Sequence, residues 1–345
     1  MKTEIVSVAS NRWPEALCGT VHDVYQLPGW SSASSLIDGG EAAAVIVSAG
    51  SATCVAPFLR RSIDGSSWDA SSAYGYAGPV WSPDLAEEQR TELLRGAADA
   101  LAEAGAVSWF VRLHPMLAGV ESAPGGLIVD HGPTVAIDLS VSAEERWKSI
   151  RSGHKADIVR ARRAGCEVEM DEDLDAIAEF ADLYRETMRR IGSSDYYGFG
   201  DDYFEALKRS LRGDLVLARA SLNGRLIGGA LFTLSKASGL VGYHLSASVP
   251  LDNNLQPTKL LIDHVQGWAA DLGYRALHLG GGLGALEGSL YRFKRGFSAL
   301  TYRFRSARFV LDPVRYQLLA GAGEEHSGFF PLYRSHQGAE TESAS

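Results

Sequence analysis

The sequence predicts an α/β protein, of the α+β type, built from two similar domains with mixed central sheets. Three observations lead to this prediction: one order of elements occurs twice, a hairpin signal opens each copy, and each copy holds a long helix followed by a strand. A chain of 345 residues is also long enough for two hydrophobic cores. We expect the domains to span 1–140 and 141–311, with 312–336 packing back on the first domain and 337–345 forming a disordered tail.

The first copy begins with two β-rich runs, AAAVIVSAG and ATCVAPFLRRS, which are separated by a Gly-Ser turn typical of a hairpin. The run YGYAGPVW follows and is predicted as the third strand. Segment 82–105 is predicted as a helix, with Ser82 as its N-cap, Pro83 at its first position and Gly105 at its end. The apolar run VSWFVRLHP then predicts a buried strand.

The second copy begins with alternating apolar runs on either side of Asn223-Gly224, which is a strong short-range hairpin signal. The strand GLVGYHLSAS, a helix from Pro257 to Gly273 and the strand YRALHLGG follow. This order matches that of the first half. The chain is therefore predicted to contain a duplicated unit.

Two further helices are predicted between the copies. The first covers 142–165 and opens with a capping box, in which the Ser142 hydroxyl and the Glu145 carboxylate each bind a backbone N–H. The second, over 173–192, is amphipathic. Past Ser306 we expect another strand and a short helix.

The composition excludes several classes of protein. No apolar run reaches the roughly 18 residues of a membrane helix and the N-terminus lacks the apolar stretch of a signal peptide, so we expect a cytoplasmic protein without a membrane span. A formal net charge of −9 argues against DNA binding. Three widely separated cysteines fit neither a disulfide framework nor a metal site, and there is no HExxH motif, so no metal is predicted.

Several motifs together resemble the FemABX family, whose members consist of tandem acetyltransferase-like (GNAT) domains. These motifs are YGYAGP in the first half, ERWKSIRSGHKADIVRARRAG at the start of the second, YRETMRR on the next helix, and LHLGGG followed by SLYRFKRGF near the end. The similarity extends from about Val24 to Pro313 without a coiled-coil insertion, as in the FemX-type members. The resemblance implies two GNAT-like domains of the acyl-CoA N-acyltransferase fold.

The resemblance also implies an activity. It indicates a tRNA-dependent aminoacyltransferase that moves an amino acid from aminoacyl-tRNA to an amine of a peptidoglycan precursor or an antibiotic-type peptide, forming an amide bond without a cofactor. Two alternatives stay open: an acyl-CoA-dependent N-acyltransferase, and a non-catalytic protein that binds a cell-wall or nucleotide-sugar ligand. We expect a monomer that binds aminoacyl-tRNA and an amine-bearing acceptor.

The loop before the second long helix bears on the acyl-CoA alternative. A standard GNAT domain binds the CoA pyrophosphate on backbone N–H groups of a glycine-containing loop at a helix N-terminus. Here the loop reads VPLDNNLQPTK, which has no glycine and contains a proline. This weakens the acyl-CoA alternative, although Asn253 and Asn254 could donate hydrogen bonds.

Lys294 is the first candidate for a catalytic residue. It lies in RFKRGF among Tyr291, Phe293 and Phe297, where its ammonium group could stabilise an oxyanion or a leaving ribose oxygen. In the FemABX family the matching Phe-Lys pair has this role, so the resemblance implies that Phe293 and Lys294 act together. The alternative is a solvated lysine in a basic turn.

Candidates for binding the acceptor come from three segments. Arg189 and Arg190 end the amphipathic helix, Tyr196 follows it, and together they could hold a phosphate or carboxylate. The alternative is structural, because the helix dipole alone favours cations at a helix C-terminus. Tyr243 is expected on the strand beside the active cleft. Tyr74 and Tyr76 are predicted to lie on one face of a strand, where they either line the acceptor channel or pack.

A basic helix is the candidate tRNA contact. Between Arg146 and Arg163 seven Lys or Arg residues accompany a single acid, Asp157. Such a stripe could follow a phosphate backbone in a salt-dependent way, with Arg160, Arg162 and Arg163 as its main residues. A merely solvated helix face is the alternative.

Overall fold

The computed structural model describes residues 1–251, 255–282, 287–321 and 329–335. The chain forms two compact units. The first contains Met1–Asp130 together with Arg305–Ser345, and the second contains His131–Phe304. The predicted tail 337–345 lies outside the described residues.

The first stretch of the chain supplies most of the first unit. Its elements are β1 (Lys2–Ser7), α1 (Arg12–Leu17), α2 (Pro28–Asp38), β2 (Glu41–Ala49), β3 (Ala52–Ser62), β4 (Trp68–Ser71), β5 (Val80–Trp81), α3 (Glu87–Glu103), β6 (Ala106–Leu113) and β7 (Gly126–Asp138), the last of which runs on into the second unit.

The second unit follows, and the chain then returns to the first. The remaining elements are α4 (Ala143–Ser149), α5 (Ser152–Arg163), β8 (Glu167–Asp171), α6 (Ile177–Arg190), α7 (Asp201–Ser210), β9 (Leu215–Leu222), β10 (Arg225–Ser235), β11 (Leu240–Ser248), α8 (Pro257–Asp271), β12 (Ala276–Gly280), α9 (Ser289–Lys294), β13 (Thr301–Val310) and α10 (Pro313–Ala320).

The strands of the two units share one topology. Their strand orders are β1-β2-β3-β4-β6-β13 in the first unit and β8-β9-β10-β11-β12-β7 in the second. In each, the first four strands are antiparallel, the fourth is parallel to the fifth, and the sixth is antiparallel to the fifth. A long helix, α3 or α8, connects the parallel pair. The predicted duplication is therefore confirmed.

Each unit has its own hydrophobic core. In the first unit, Phe58 and Trp109 are fully buried against the apolar face of α3. In the second, Phe232 on β10 packs with Leu261 and Val265 of α8. Removing a large buried side chain of this kind typically costs about 3–5 kcal/mol, so these two cores fix the sheets that position the site.

The predicted start of the first long helix is wrong. The helix begins at Glu87, and its N-cap is Ala86, whose backbone N–H donates to Gln89 Oε1 at 2.9 Å. Ser82 instead extends the strand pairing, because its Oγ accepts from Thr53 N at 3.0 Å and its own N–H donates to Thr53 O at 2.9 Å. Pairing with β3 holds this serine outside the helix.

The predicted third strand of the first unit is also wrong. The strand that occupies this position is β4, and only Val80 and Trp81 of YGYAGPVW are in a strand, β5. Gly75 has a φ of 91°, and a side chain there would overlap the Tyr25 ring. Tyr74 and Tyr76 therefore lie in a turn, and strand alternation does not apply to them.

The predicted helix over 142–165 is in fact two helices. Its capping box is confirmed, with Glu145 N donating to Ser142 Oγ at 3.2 Å. The helical path stops at Ile150 and Arg151, which have extended ψ values of 131° and 143°, and α5 then begins. Arg151 N donates to Gly296 O at 2.8 Å, and this tertiary contact replaces the helical hydrogen bond.

The other turn signals are confirmed. Asn223 and Gly224 both have positive φ, 52° and 74°, as a tight hairpin turn between β9 and β10 requires. The helix α8 begins at Pro257 and ends shortly before Gly273. Among the described helices, none combines the length and apolar character needed to cross a bilayer.

Candidate active site

The second unit contains a point where two parallel strands part. The strands β11 and β12 pair at Leu240, Val241 and Gly242, and the last of these lies opposite His278. Their pairing ends there, although β11 continues to Ser248. A β-bulge lies immediately beyond, because Phe232 of β10 pairs with Tyr243 while Leu231 pairs with Leu245, leaving His244 as an extra residue. Bulges bend strands, so the fold itself opens the sheet here.

Lys294 lies at this opening. It ends the short helix α9 and is only 7% exposed. Its Nζ donates to Gly281 O, just past β12, at 2.8 Å and lies 5.8 Å from the ring centroid of Tyr243, the first residue of β11 beyond its pairing with β12. The ammonium group is therefore held between the two diverging strands.

The surroundings of Lys294 change its protonation. Burial lowers the pKa of the Lys294 ammonium to about 7. An ammonium has three N–H donors. One binds Gly281 O, and within the described part of the chain the other two have no hydrogen-bond acceptor. A buried cation with unused donors is suited to bind developing negative charge on a substrate.

The residues next to Lys294 form an apolar wall. Tyr291 and Phe297 are buried and Phe293 is partly buried. His154 of α5, which sequence reasoning missed, contacts this wall: its Nε2 donates to Phe293 O at 2.9 Å, and its ring lies 4.8 Å from that of Phe297. The only sequence signal for this contact was Gly296, where a side chain would overlap the imidazole.

Tyr243 lies in the site, as predicted for this strand. Its hydroxyl hydrogen-bonds Ser246 Oγ, and its ring lies 5.5 Å from that of Phe232. Burial raises the pKa of the Tyr243 hydroxyl to about 12. The side chain therefore contributes an aromatic face rather than an acid or base at neutral pH.

His244 contacts a different helix from Tyr243. Its Nε2 lies 3.0 Å from the Tyr203 hydroxyl of α7. Burial lowers the pKa of His244 to about 3, so the imidazole is neutral at physiological pH. The bulge thus places a neutral histidine on the side of α7 and an aromatic ring on the side of Lys294.

The candidate acceptor-binding residues at and after the end of α6 differ in their contacts and in their exposure. Arg190 donates to Ser248 O, at the end of β11, at 2.6 Å. Arg189 is exposed, and Tyr196 is 39% exposed, with its ring 5.2 Å from that of Tyr197. The structure therefore brings Arg190 to the strand that carries Tyr243, while phosphate binding by these residues stays a prediction.

Tyr74 and Tyr76 lie in the first unit and make both backbone and ring contacts. Their carbonyl oxygens accept from Trp30 Nε1 at 2.8 Å and Gln26 Nε2 at 2.9 Å. The Tyr76 ring lies 5.5 Å from that of Tyr25. These contacts favour packing, which was the second of the two roles considered for this pair.

The basic helix α5 is partly neutralised. Arg160 forms an ion pair with Asp157 at 3.0 Å and Arg162 one with Asp263 at 2.5 Å. Arg163 is exposed. Asp263 is buried on α8, so Arg162 is needed to compensate its charge. Of these three arginines, a tRNA contact would thus depend mainly on the exposed Arg163.

The start of α8 offers little to a pyrophosphate. Pro257 occupies the first helical position and is buried, and Lys259 forms an ion pair with Asp157 at 2.5 Å. Residues 252–254, including the two asparagines considered as donors, lie outside the described residues. Within the described residues, no three His, Cys, Asp or Glu side chains are grouped as a metal site.

Comparison with known proteins assigns a class to this arrangement. Residues 148–295, which include the diverging strands and Lys294, match the family model described as an acetyltransferase (GNAT) domain. The second unit therefore has the fold of a GNAT domain. The predicted fold class, GNAT-like domains with mixed sheets, is confirmed.

Particular solved structures share the fold. FemX has a TM-score of 0.69 at 15% identity, covering 92% of this chain and 99% of its own, so the resemblance to FemX is confirmed in the fold. The C-terminal domain of a putative lysylphosphatidylglycerol synthetase from Agrobacterium fabrum has a TM-score of 0.55 at 15% identity, covering 86% and 90%. L-PGS from Bacillus licheniformis has 0.54 at 14%, covering 88% and 93%. No curated protein matches the sequence closely enough to be a relative.

Proposed function

We propose that the protein is a cytoplasmic, monomeric aminoacyltransferase that moves an amino acid from aminoacyl-tRNA to an amine of a peptidoglycan precursor or a secondary-metabolite peptide. The FemX-like fold and the FemABX motifs support the reaction type. A lysylphosphatidylglycerol synthetase, with the same fold, is named for a product that carries a lysyl group. The single observation that carries the proposal is the buried ammonium group of Lys294 between the diverging strands.

The chemistry requires little beyond positioning and charge. The acceptor nitrogen attacks the ester carbonyl carbon, a C–N bond forms, and the C–O bond to the ribose breaks. The ribose oxygen leaves with the electron pair and takes a proton, while the proton of the acceptor amine passes to solvent. Lys294 would donate the two N–H groups that have no acceptor among the described residues to the carbonyl oxygen as negative charge develops, or to the departing ribose oxygen, and Phe293 would help to hold it.

A direct experiment tests the reaction. Radiolabelled amino acid on charged tRNA is incubated with the protein and amine-bearing acceptors, with and without ribonuclease. We expect transfer that ribonuclease abolishes. Transfer from a CoA thioester that ribonuclease does not affect would replace the proposal with the acyl-CoA alternative.

Lys294 is tested in the same assay. We expect Lys294→Met to lower kcat by about 10²–10³-fold, the usual loss for one oxyanion donor. Lys236→Met is the matched control, because Lys236 is an exposed lysine of the same unit. A Lys294→Met variant with the wild-type rate would remove the catalytic assignment.

One observation favours an acyl-CoA-dependent N-acyltransferase as the second candidate. The residues around Lys294 match an acetyltransferase family model. The buried Pro257 and the paired Lys259 at the start of α8 are unfavourable for binding CoA phosphates there. The thioester arm of the transfer assay decides between the two donors.

A further inference from the structure

His154 is a buried histidine that the proposed chemistry does not use. It lies on α5, is 2% exposed, and makes its hydrogen bond to the backbone of α9 rather than to a side chain. Because Phe293 O can only accept, His154 must donate from Nε2 at 2.9 Å. The contact therefore fixes both the tautomer and the direction of the imidazole.

This hydrogen bond lies next to Lys294 in the chain. The last carbonyl groups of a helix lack intrahelical partners. At the end of α9, Phe293 O accepts from Gly296 N at 3.0 Å and also from His154. Arg151 N donates to Gly296 O at 2.8 Å. The beginning of α5 thus holds the turn after Lys294 at two points.

The packing around the imidazole is close. The His154 ring lies 5.5 Å from the ring of Phe293 and 4.8 Å from that of Phe297. A Cβ on Gly296 would overlap the imidazole. A glycine is therefore required at this position so that the histidine can approach the backbone.

We propose that His154 is a positioning residue for Lys294, because its hydrogen bond to Phe293 O holds the last turn of α9 so that the lysine side chain reaches between β11 and β12. This inference rests on the proposed function for its effect on the rate. Its effect on the lysine environment does not depend on the reaction.

The charged groups around His154 and Lys294 determine which measurement can test the positioning role. His154 faces Arg151, which immediately precedes α5, Asp157 one turn later on α5 and Lys259 of α8, and burial lowers the pKa of His154. Protonation of Nδ1 would leave the Nε2–H donor in place, so the contact is not itself pH-sensitive. The Lys294 ammonium faces the aromatic ring of Tyr243, whose hydroxyl is neutral at physiological pH. The titration of Lys294 therefore reports whether its position has changed.

The experiment compares three variants of the full chain. His154→Gln keeps an N–H donor near the position of Nε2, His154→Leu removes it at similar volume, and His264→Leu is the matched control on the exposed side of α8. Acetic anhydride reacts with neutral amines, so labelling of Lys294 against pH, read by mass spectrometry, gives its pKa. We expect a midpoint near 7 in wild type, His154→Gln and His264→Leu.

In His154→Leu we expect the midpoint of Lys294 labelling to rise by about one pH unit or more, because a lysine released from burial returns toward its ordinary pKa of about 10.4. If His154→Leu does not fold by circular dichroism, Gly296→Ala displaces the imidazole instead and should give the same shift. A folded variant with an unchanged midpoint would overturn the inference.

Transfer kinetics provide the second readout. We expect His154→Leu to lower kcat by about 10–100-fold with KM nearly unchanged, as for a misplaced catalytic group, and His154→Gln to recover most of the loss. A shifted labelling midpoint in a protein that transfers no amino acid would support the positioning and contradict the proposed function. A reduced kcat with an unchanged midpoint would contradict the positioning.

Discussion

Lys294 shows how burial alone can prepare a side chain for chemistry. In the described structure its ammonium group has one carbonyl partner and an aromatic neighbour, and no described carboxylate forms an ion pair with it. Desolvation therefore dominates, and the pKa of Lys294 falls to about 7. The same burial that tunes the group must reduce the stability of the folded state, since a charged lysine is costly to bury.

The cost of burying a charged lysine predicts that Lys294→Met gains stability relative to wild type, by an amount that depends on pH. Below pH 7 the lysine is charged in both states and the folded protein bears the full penalty of burial. Between pH 7 and about 10.5 the unfolded state binds more protons than the folded state, so wild-type stability rises by about 1.4 kcal/mol per pH unit from this group. We expect Lys294→Met to be more stable than wild type at pH 6, with the difference shrinking above pH 7.

Urea denaturation at pH 6, 8 and 10 measures this difference. Lys236→Met, on an exposed lysine, should differ from wild type by the same small amount at each pH. A difference for Lys294→Met that stays constant from pH 7 to 10 would mean that the lysine keeps an ordinary pKa in the folded protein.

At the scale of elements, the break between α4 and α5 matters more than either helix. Ile150 and Arg151 are extended, and Arg151 N donates to Gly296 O in the turn after α9. A single continuous helix would use this N–H internally and leave the Gly296 carbonyl without that donor. The break therefore joins the beginning of α5 to the segment that carries Lys294.

The contact can be removed with little change to the backbone. Arg151 has a φ of −59° and a ψ of 143°, values that proline adopts, and the extended Ile150 tolerates a following proline. We expect Arg151→Pro to lower the free energy of unfolding by about 1–3 kcal/mol, because Gly296 O loses its donor. Arg151→Ala keeps the N–H and serves as the reference in chemical denaturation. Equal stability of the two variants would show that the hydrogen bond contributes nothing.

At the scale of the whole molecule, the duplicated order of elements could be predicted from sequence. Hairpin turns, proline near a helix start and glycine beyond a helix end are local signals, and Asn223-Gly224 and Pro257 behave as expected. Ser82 had the same local signal but pairs with β3 instead. The position of Ser82 is determined by its pairing with β3, which is distant in sequence. Local sequence signals do not predict such a pairing.

The candidate site was predictable only in part, for the same reason. The Phe-Lys motif identified Lys294, and its aromatic neighbours implied burial. The bulge at His244, the role of Gly281 as hydrogen-bond acceptor and the contact of His154 with Phe293 depend on tertiary contacts. A histidine within a basic helix gives no local indication that it faces another helix end.

The sixth strands also distinguish the two units. In the first unit β6 pairs with residues 305–310 of β13, whereas residues 135–138 of β7 complete the second sheet from within 131–304. We expect a fragment 131–304 to show a cooperative thermal transition by circular dichroism, and a fragment 1–130 to show none until the peptide 305–335 is added. A cooperative transition in 1–130 alone would show that the sixth strand is dispensable.

This arrangement has a consequence for synthesis on the ribosome. The amino-terminal half leaves the exit tunnel with one edge of β6 unpaired, and the segment that covers it is translated only after the whole of the second unit. At ordinary elongation rates this delay is on the order of ten seconds or more. During that time the nascent chain exposes an open sheet edge, so the strands of the first unit can be completed only after the second unit has been translated.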